Sequence, residues 1–285
     1  MNITIRQAQE GDAPECGRIC YRAFTAIANA HNFTPDFPNT EVAAGLMTML
    51  LGHKGFNVLV AELDGKVVGS NVVDERGAVW GLGPITVDPA VQNQGVGERL
   101  MRAALAHAQQ KGPAGVRLVQ AGYHCRSLAL YSKLGFEVRE HLSCIQGSPI
   151  RGETRGDVVR AAAERDIPTC NALAVRVYGH HRGPELQDAV AHGTATVVER
   201  GGRVTGYATQ IAFFGHATGE TTDDIRALVT AAESYAGPGF IVPSGNGELL
   251  RWCLQNGLRI TQPLTLMTMG LYNEPSGAYL PSILY

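Results

Sequence analysis

Residues 92–97, with the sequence QNQGVG, have the composition of a loop that binds phosphate groups. Glycine lets the backbone turn its N–H groups outward, and the start of a helix adds partial positive charge at the same place. Such a turn holds a phosphate or a diphosphate. A third glycine does not follow Gly97 at the required spacing, and the chain contains no Gly-Lys-Ser/Thr. Both the dinucleotide fingerprint and the ATP loop are therefore excluded.

A second pattern follows the loop at a distance of one helix plus one strand. It reads Leu-Tyr-Ser-Lys-Leu-Gly-Phe over residues 130–136. Together with Gln92-x-x-Gly95-x-Gly97, it makes residues 3–145 resemble the GNAT superfamily of acyl-CoA-dependent N-acyltransferases. The resemblance implies an α/β (α+β) fold in which a mixed, mostly antiparallel sheet is flanked by helices. It also implies acetyl-CoA as co-substrate, with no metal.

The resemblance further assigns roles to individual residues. Its coenzyme contacts fall on one strand and the loop after it: Ile85, Val87, Gln92, Asn93, Gln94, Gly95, Val96, Gly97 and Glu98. An amine attacks the thioester directly in a ternary complex, and Tyr131 acts as the general acid that protonates the leaving thiolate. His124 stands where the family often has Asn, so it is a catalytic candidate, a coenzyme contact or a helix cap. The general base is not identified.

Candidate contacts to the acceptor are Asp36, Asn71 and Glu75. Asp36 lies in a connection rich in Pro and aromatic residues, a region that overhangs the acceptor pocket in the family. The expected acceptor is a small-molecule amine or an exposed amino group.

Strands and helices are expected to alternate around these motifs. Strands are predicted at 3–6, 57–63, 66–73, 80–87, 116–121 and 136–140, and helices at 98–110 and 127–134. Asp64-Gly65 predicts a hairpin turn between two of the strands. Asp12, with Glu15 three residues later, predicts a capped helix that starts near Pro14.

The chain also repeats itself. Residues 5–24 align with residues 159–178, pairing Arg6 with Arg160 and Asp12 with Asp166. We therefore predict a catalytic domain at 1–147, a linker at 148–157 and a degenerate GNAT-like domain at 158–285 that is structural or lines the substrate site. The alternative is two unrelated α/β domains.

The second copy differs at the positions that carry chemistry. It has Glu220 where the phosphate loop stands in the first copy, and Cys253 at the position of Tyr131. Because a carboxylate repels a diphosphate, we expect no acetyl-CoA turnover in the second copy.

Composition excludes several classes of partner. The 24 Lys and Arg residues against 26 Asp and Glu give a net charge of −2, which does not favour nucleic acid. No apolar run reaches the roughly 18 residues that span a bilayer, and the N-terminus lacks the layout of a secretory peptide. We expect a cytoplasmic monomer or homodimer whose six scattered cysteines are reduced.

These observations favour an acetyl-CoA-dependent N-acetyltransferase. The alternative of another class is a non-catalytic CoA-binding sensor or regulatory module, in which the loop binds but no transfer occurs. A nucleotide-binding protein is disfavoured because the loop has no lysine.

Overall fold

A computed structural model describes residues 3–152 and 158–284 of the chain. Residues 153–157 of the predicted linker lie outside this part. The strands are β1 Ile3–Gln7, β2 Phe56–Leu63, β3 Lys66–Asp74, β4 Val79–Val87, β5 Gly115–Ala121, β6 Glu137–Gln146, β7 Val158–Ala161, β8 Thr196–Arg200, β9 Arg203–Ala208, β10 Ala217–Gly219, β11 Phe240–Pro243, β12 Arg259–Gly270 and β13 Ala278–Leu280. The helices are α1 Ala13–Ala30, α2 Thr40–Gly52, α3 Val96–Lys111, α4 Cys125–Lys133, α5 Ile167–Tyr178, α6 Gly183–Ala191, α7 Thr222–Ala231 and α8 Gly247–Gln255.

The local predictions for the first half are confirmed, with one exception. Each predicted strand and helix is present, and the β2–β3 turn has positive φ at Asp64 and Gly65, at 51° and 74°. The predicted cap of α1 is wrong. Asp12 makes no side-chain cap to α1, because its carboxylate accepts from the Gln9 N–H at 2.7 Å and from the Arg6 guanidinium at 2.7 Å.

The strands form two sheets. The larger has the order β1-β2-β3-β4-β5-β12-β6-β11, and the smaller has the order β13-β10-β9-β8-β7. β4 and β5 pair in parallel, whereas the other pairs in the described residues are antiparallel. The mixed, mostly antiparallel fold predicted from the sequence is confirmed.

The two halves of the chain exchange strands in the larger sheet. β12 comes from the second half but lies between β5 and β6, and β6 in turn lies between β12 and β11. Each half thus inserts a strand between two strands of the other. The domain bounds at 147 and 158 stay a prediction, while the larger sheet runs through both halves.

Helices cover both faces of the first-half strands. On one face, Met101 and Ala104 of α3 and Tyr131 of α4 pack with Val73 and Trp80. On the other, Cys16 of α1 and Met47 of α2 share a cluster with Val60 and Val72, among others. The coenzyme loop predicted from the sequence precedes α3, so α3 and α4 define the side of the sheet on which it lies.

The internal repeat is visible as a repeated ion-pair network. Arg6 bonds Asp12 and Glu62 with donor–acceptor distances of 2.7 Å each. Arg160 bonds Asp166 and Glu199 at 2.7 and 2.6 Å in the second half. In each half the network ties the first strand to the start of the first helix and to the second strand.

Candidate coenzyme site

The loop before α3 presents its backbone N–H groups to solvent. Gly95 is the N-cap of α3 in the left-handed region, with φ of 82°, and Asn93 has φ of 65°. Residues 93–95 are exposed. Within the described chain, no protein acceptor bonds the N–H groups of residues 93–98. The helix start is therefore open, as a diphosphate site requires.

Two side chains hold this loop in place. Gln92 donates from Nε2 to the carbonyl of Val87 at 3.0 Å, which ties the loop to the end of β4. Arg126, in the first turn of α4, donates to Oε1 of Gln92 at 2.7 Å and to Oδ1 of Asn93 at 2.9 Å. Arg126 also brings positive charge beside the open N–H groups. Sequence reasoning missed it, because a single arginine on an exposed helix carries no distinguishing pattern.

β4 and β5 separate as they approach this loop. They pair only over three positions, ending at Gly81 opposite Arg117. Beyond that point, the edge of β4 from Leu82 to Val87 faces a gap instead of β5. This free edge is about 20 Å long at roughly 3.3 Å per residue. Ile85 and Val87, predicted as coenzyme contacts, lie on it, and extended ligands bind to such edges through main-chain hydrogen bonds.

Buried polar atoms lie beside the gap on the side of α3 and α4. Asn71, opposite Ile85 in the β3–β4 register, has its Oδ1 buried without a partner, and its Nδ2 lies 3.6 Å from the sulfur of Met101. Gln120 of β5 has a buried Nε2 without a partner, and its Oε1 accepts from Ser127 at 3.2 Å. Leaving such groups unbonded is unfavourable, so they fit a polar ligand in the gap.

Tyr131, the predicted general acid, lies in α4 and is 6% exposed. It packs with Leu82, Met101 and Phe136 in the cluster between α3, α4 and the sheet. Burial raises the pKa of the Tyr131 hydroxyl above its usual value. The phenol is therefore protonated at neutral pH, which is the form an acid needs.

His124 is the N-cap residue of α4, yet its side chain makes no cap hydrogen bond. Its Nε2 is buried without a partner. Burial, followed by the charge of Arg126 and then His31, lowers the pKa of His124 to about 4. A neutral imidazole with so low a pKa is a weak base at pH 7.

The structure does not bring the three candidate acceptor contacts together. Asp36 accepts from Gln262 of β12 at 2.9 Å, on the side of the α1–α2 connection. Glu75 instead bonds His107 of α3 at 2.6 Å, and Asn71 also faces α3. Burial raises the pKa of Asp36, and the hydrogen bond from Gln262 opposes that rise.

Asp74, a carboxylate near the free edge of β4, is held by a buried ion pair. It is 6% exposed and accepts from the N–H and Nε of Arg76 at 3.1 and 2.9 Å. Arg76 folds back over this carboxylate and shields it from solvent. Burial raises the pKa of Asp74, and the hydrogen bond from Arg76 opposes that rise. Because Arg76 occupies the carboxylate, no general base is assigned.

Neither a metal site nor a membrane-spanning helix is found in residues 3–152 and 158–284. No group of three or more His, Cys, Asp or Glu side chains is placed to hold a metal ion. No helix in the same ranges is both long and apolar enough to cross a bilayer.

Comparison with known proteins gives a family match to the part of the chain that contains this site. The family model described as the acetyltransferase (GNAT) domain matches residues 54–138, which include the loop, Arg126 and Tyr131. A search of curated proteins found no match.

Two solved structures share the fold over nearly the whole chain. One is a protein of Pyrococcus horikoshii classed provisionally as an acetyltransferase, with TM-score 0.76 and 16% identity over 97% of this chain and 94% of that one. The other is a GCN5-related N-acetyltransferase from Sphaerobacter thermophilus, with TM-score 0.62 and 14% identity over 95% and 96%. At these identities they show the fold alone. The family match shows that residues 54–138 are similar to the GNAT acetyltransferase domain.

Proposed function

We propose that the first half binds acetyl-CoA and that the protein is an N-acetyltransferase. The observation that carries this proposal is the open start of α3. There, the N–H groups of residues 93–98 have no acceptor in the described chain, and Arg126 lies beside them. Oriented N–H groups with a helix dipole and an arginine favour a diphosphate.

The free edge of β4 supports coenzyme A over a simple phosphate. It leads from the loop to the point at Gly81 where β4 and β5 separate, so one extended ligand reaches both. Gln120 and Asn71 offer it a donor and an acceptor along the way. Bound there, acetyl-CoA supplies an acyl thioester that is reactive toward an amine.

The chain's own residues provide a proton and exclude water. Tyr131 holds its phenolic proton in an apolar cluster next to Leu82, at the closed end of the gap. His124 stays neutral above about pH 4 and is retained as a polar contact, not as the base. The acceptor in this proposal is a small-molecule amine or an exposed amino group.

Calorimetry with CoA and acetyl-CoA tests the binding step. Gly97→Glu places a carboxylate at the start of α3, where a Cβ meets only Val87 and Leu130 at 3.7 and 3.8 Å, which are ordinary van der Waals contacts. We expect this variant to lose at least 100-fold in CoA affinity through like-charge repulsion. Gly11→Glu adds the same charge at an exposed glycine with open space around it and should bind as the wild type does.

Thiol release with a panel of amines tests the transfer step. Turnover by the wild type, lost in Gly97→Glu and kept in Gly11→Glu, is the expected result. Failure of CoA to bind the wild type, or equal binding by Gly97→Glu, would contradict the proposal. Binding without turnover for any amine would favour the CoA-binding sensor instead.

A further inference from the structure

The last residues of the chain cross from the second half to the first. β13 pairs with β10 in the smaller sheet, and the residues after it run toward β4. Ser282 donates from Oγ to the carbonyl of Phe214 at 3.0 Å, and the Ile283 N–H donates to the carbonyl of Phe213 at 2.9 Å. These bonds fix the path of the tail, defined here as residues 281–284.

The tail ends at the point where β4 and β5 separate. A Cβ placed on Gly81 would overlap the carbonyl oxygen of Leu284, so the two backbones are in direct contact there. Gly81 is also the last residue of β4 that pairs with β5. The closed end of the gap therefore has the tail against it.

The tail lies on the face of the sheet opposite α3 and α4. Leu284 is 9% exposed and belongs to the cluster of Val58 and Val72, which α1 and α2 cover. Ile283 packs against that cluster and also against the one that contains Val119 of β5 and Leu264 of β12. It thus bridges the two clusters on this face, across the gap between β4 and β5.

Resting on the proposed function, we propose that Ile283 and Leu284 form the apolar wall of the acceptor pocket. Because α3 and α4 cover the other face, an amine that reaches the closed end of the gap approaches past these two side chains. The sec-butyl group of Ile283 and the isobutyl group of Leu284 limit the size of the apolar substituent next to the acceptor amine. In an apolar pocket of this kind, one methylene changes kcat/KM by about 10- to 200-fold.

Acceptor preference tests the wall directly. With ethylamine and benzylamine as probes, Leu284→Ala should raise the benzylamine-to-ethylamine ratio of kcat/KM at least tenfold. Its Kd for CoA should stay within twofold of the wild-type value. The control is Leu280→Ala, which truncates a leucine of β13 that is 2% exposed and lies in the second-half core. An unchanged ratio in Leu284→Ala, or an equal shift in Leu280→Ala, would overturn the wall.

A second measurement does not depend on turnover. Gly81→Ala forces the Leu284 carbonyl away, so it should lower Tm and speed hydrogen exchange at the Ile283 N–H. In a chain that ends at Ser282, Gly81→Ala should lower Tm much less, because the Leu284 carbonyl that it displaces is absent. If Gly81→Ala lowers Tm equally in the full and the shortened chain, the contact with Leu284 is absent. That result would overturn the proposed wall but not the proposed function. Absence of thiol release by the wild type with every amine would instead overturn the proposed function, and with it the acceptor role of the wall.

Discussion

The starts of α3 and α7 occupy equivalent places in the two halves, and only the start of α3 is open. In α3, the third residue is Glu98, whose carboxylate turns away to Arg102 at 2.8 Å, and the N-cap is Gly95, without a side chain. In α7, the third residue is Asp224, which accepts from the N–H and Oγ1 of Thr221 at 2.8 Å each. When a carboxylate of the helix itself accepts hydrogen bonds at the helix start, that place is no longer open to a diphosphate.

The strand before each helix shows the same contrast. β4 has a free edge beyond Gly81, but β10 is paired on that side by β13 over three positions, 217 with 280 to 219 with 278. The chain itself thus supplies the added strand that, in the first half, we assign to the coenzyme. The second half retains the fold while its groove edge is occupied.

The third contrast lies in α4 and α8. Arg126 beside the open loop corresponds to Glu248, and Tyr131 corresponds to Cys253. The groove of about 580 Å³ beside the start of α7 includes Glu140 of β6, Glu220 and Glu274 in its lining. The two halves thus differ in the charge beside the helix start, in the residue proposed as the acid and in the open N–H groups. They share a backbone arrangement but not these chemical groups.

Separating the halves should have the largest effect. Residues 1–152 alone lack β11 and β12, so β5 and β6 lose their shared neighbour and the side chains of Leu142 and Cys144 lose their packing against Leu264 and Ile241. We expect this fragment to be insoluble when produced alone and soluble when co-expressed with 153–285. Solubility and urea unfolding followed by fluorescence measure this. A fragment 1–152 that unfolds cooperatively on its own would show that the exchange is not needed for folding.

Replacing Tyr131, the proposed general acid, should have the next largest effect. Tyr131→Phe keeps the packing but removes the hydroxyl, so thiol release should fall at least tenfold, because a general acid typically contributes about 10² to 10⁴. The Kd for CoA should stay within twofold. Cys253→Ala, at the equivalent position, should leave both unchanged. Full turnover by Tyr131→Phe would assign Tyr131 to the core alone.

A smaller effect is expected at Arg126. Arg126→Glu copies the charge of Glu248 and removes the bonds to Gln92 and Asn93. We expect CoA affinity to fall about tenfold, less at high salt because the exposed charges are screened. Glu248→Gln serves as the control. If Arg126→Glu binds CoA as tightly as the wild type at every salt concentration, the charge of Arg126 does not contribute to binding.

Most of the first-half fold follows from local sequence patterns. The alternation of β2 and β3, the Asp64-Gly65 turn and the apolar stripe of α3 each act within a few residues, so they are readable. The position of β12 is not, because its pairing with β5 and β6 is long-range. The predicted cap of α1 is wrong for a related reason: Asp12 accepts a hydrogen bond from Arg6, and the pairing of β1 with β2 positions Arg6.

The candidate site divides in the same way. The coenzyme loop at residues 92–97 is contiguous, so its composition alone indicates phosphate chemistry. The acceptor side that we propose is assembled from distant segments, such as Asp36 with Gln262, or Gly81 with Leu284. No spacing within the sequence relates these residues, and only the folded chain brings them together.

The smallest expected effect concerns the caps of α4 and α8. His124 and Asn246 have nearly the same backbone conformation, with φ, ψ of −88°, 71° and −78°, 71°. Only Asn246 caps its helix, accepting from the Leu249 N–H at 3.0 Å. In His124→Asn the new side chain should also accept from the Ser127 N–H, which donates to the backbone carbonyl of residue 124 at 3.0 Å. It should raise the free energy of unfolding at pH 7.5 by about 1 kcal/mol.

The gain should increase toward pH 5, because the pKa of His124 is about 4 in the folded protein, below its ordinary value. Between that pKa and the ordinary one near 6.5, the unfolded chain binds the proton, so His124 makes the wild type less stable as the pH falls. Asn does not titrate, and its advantage should grow by about 2 kcal/mol between pH 7.5 and 5.0. Urea unfolding at pH 7.5 and 5.0 measures both effects. If the difference between variant and wild type is the same at both pH values, His124 is not buried as a neutral group, and its role as a catalytic base regains support.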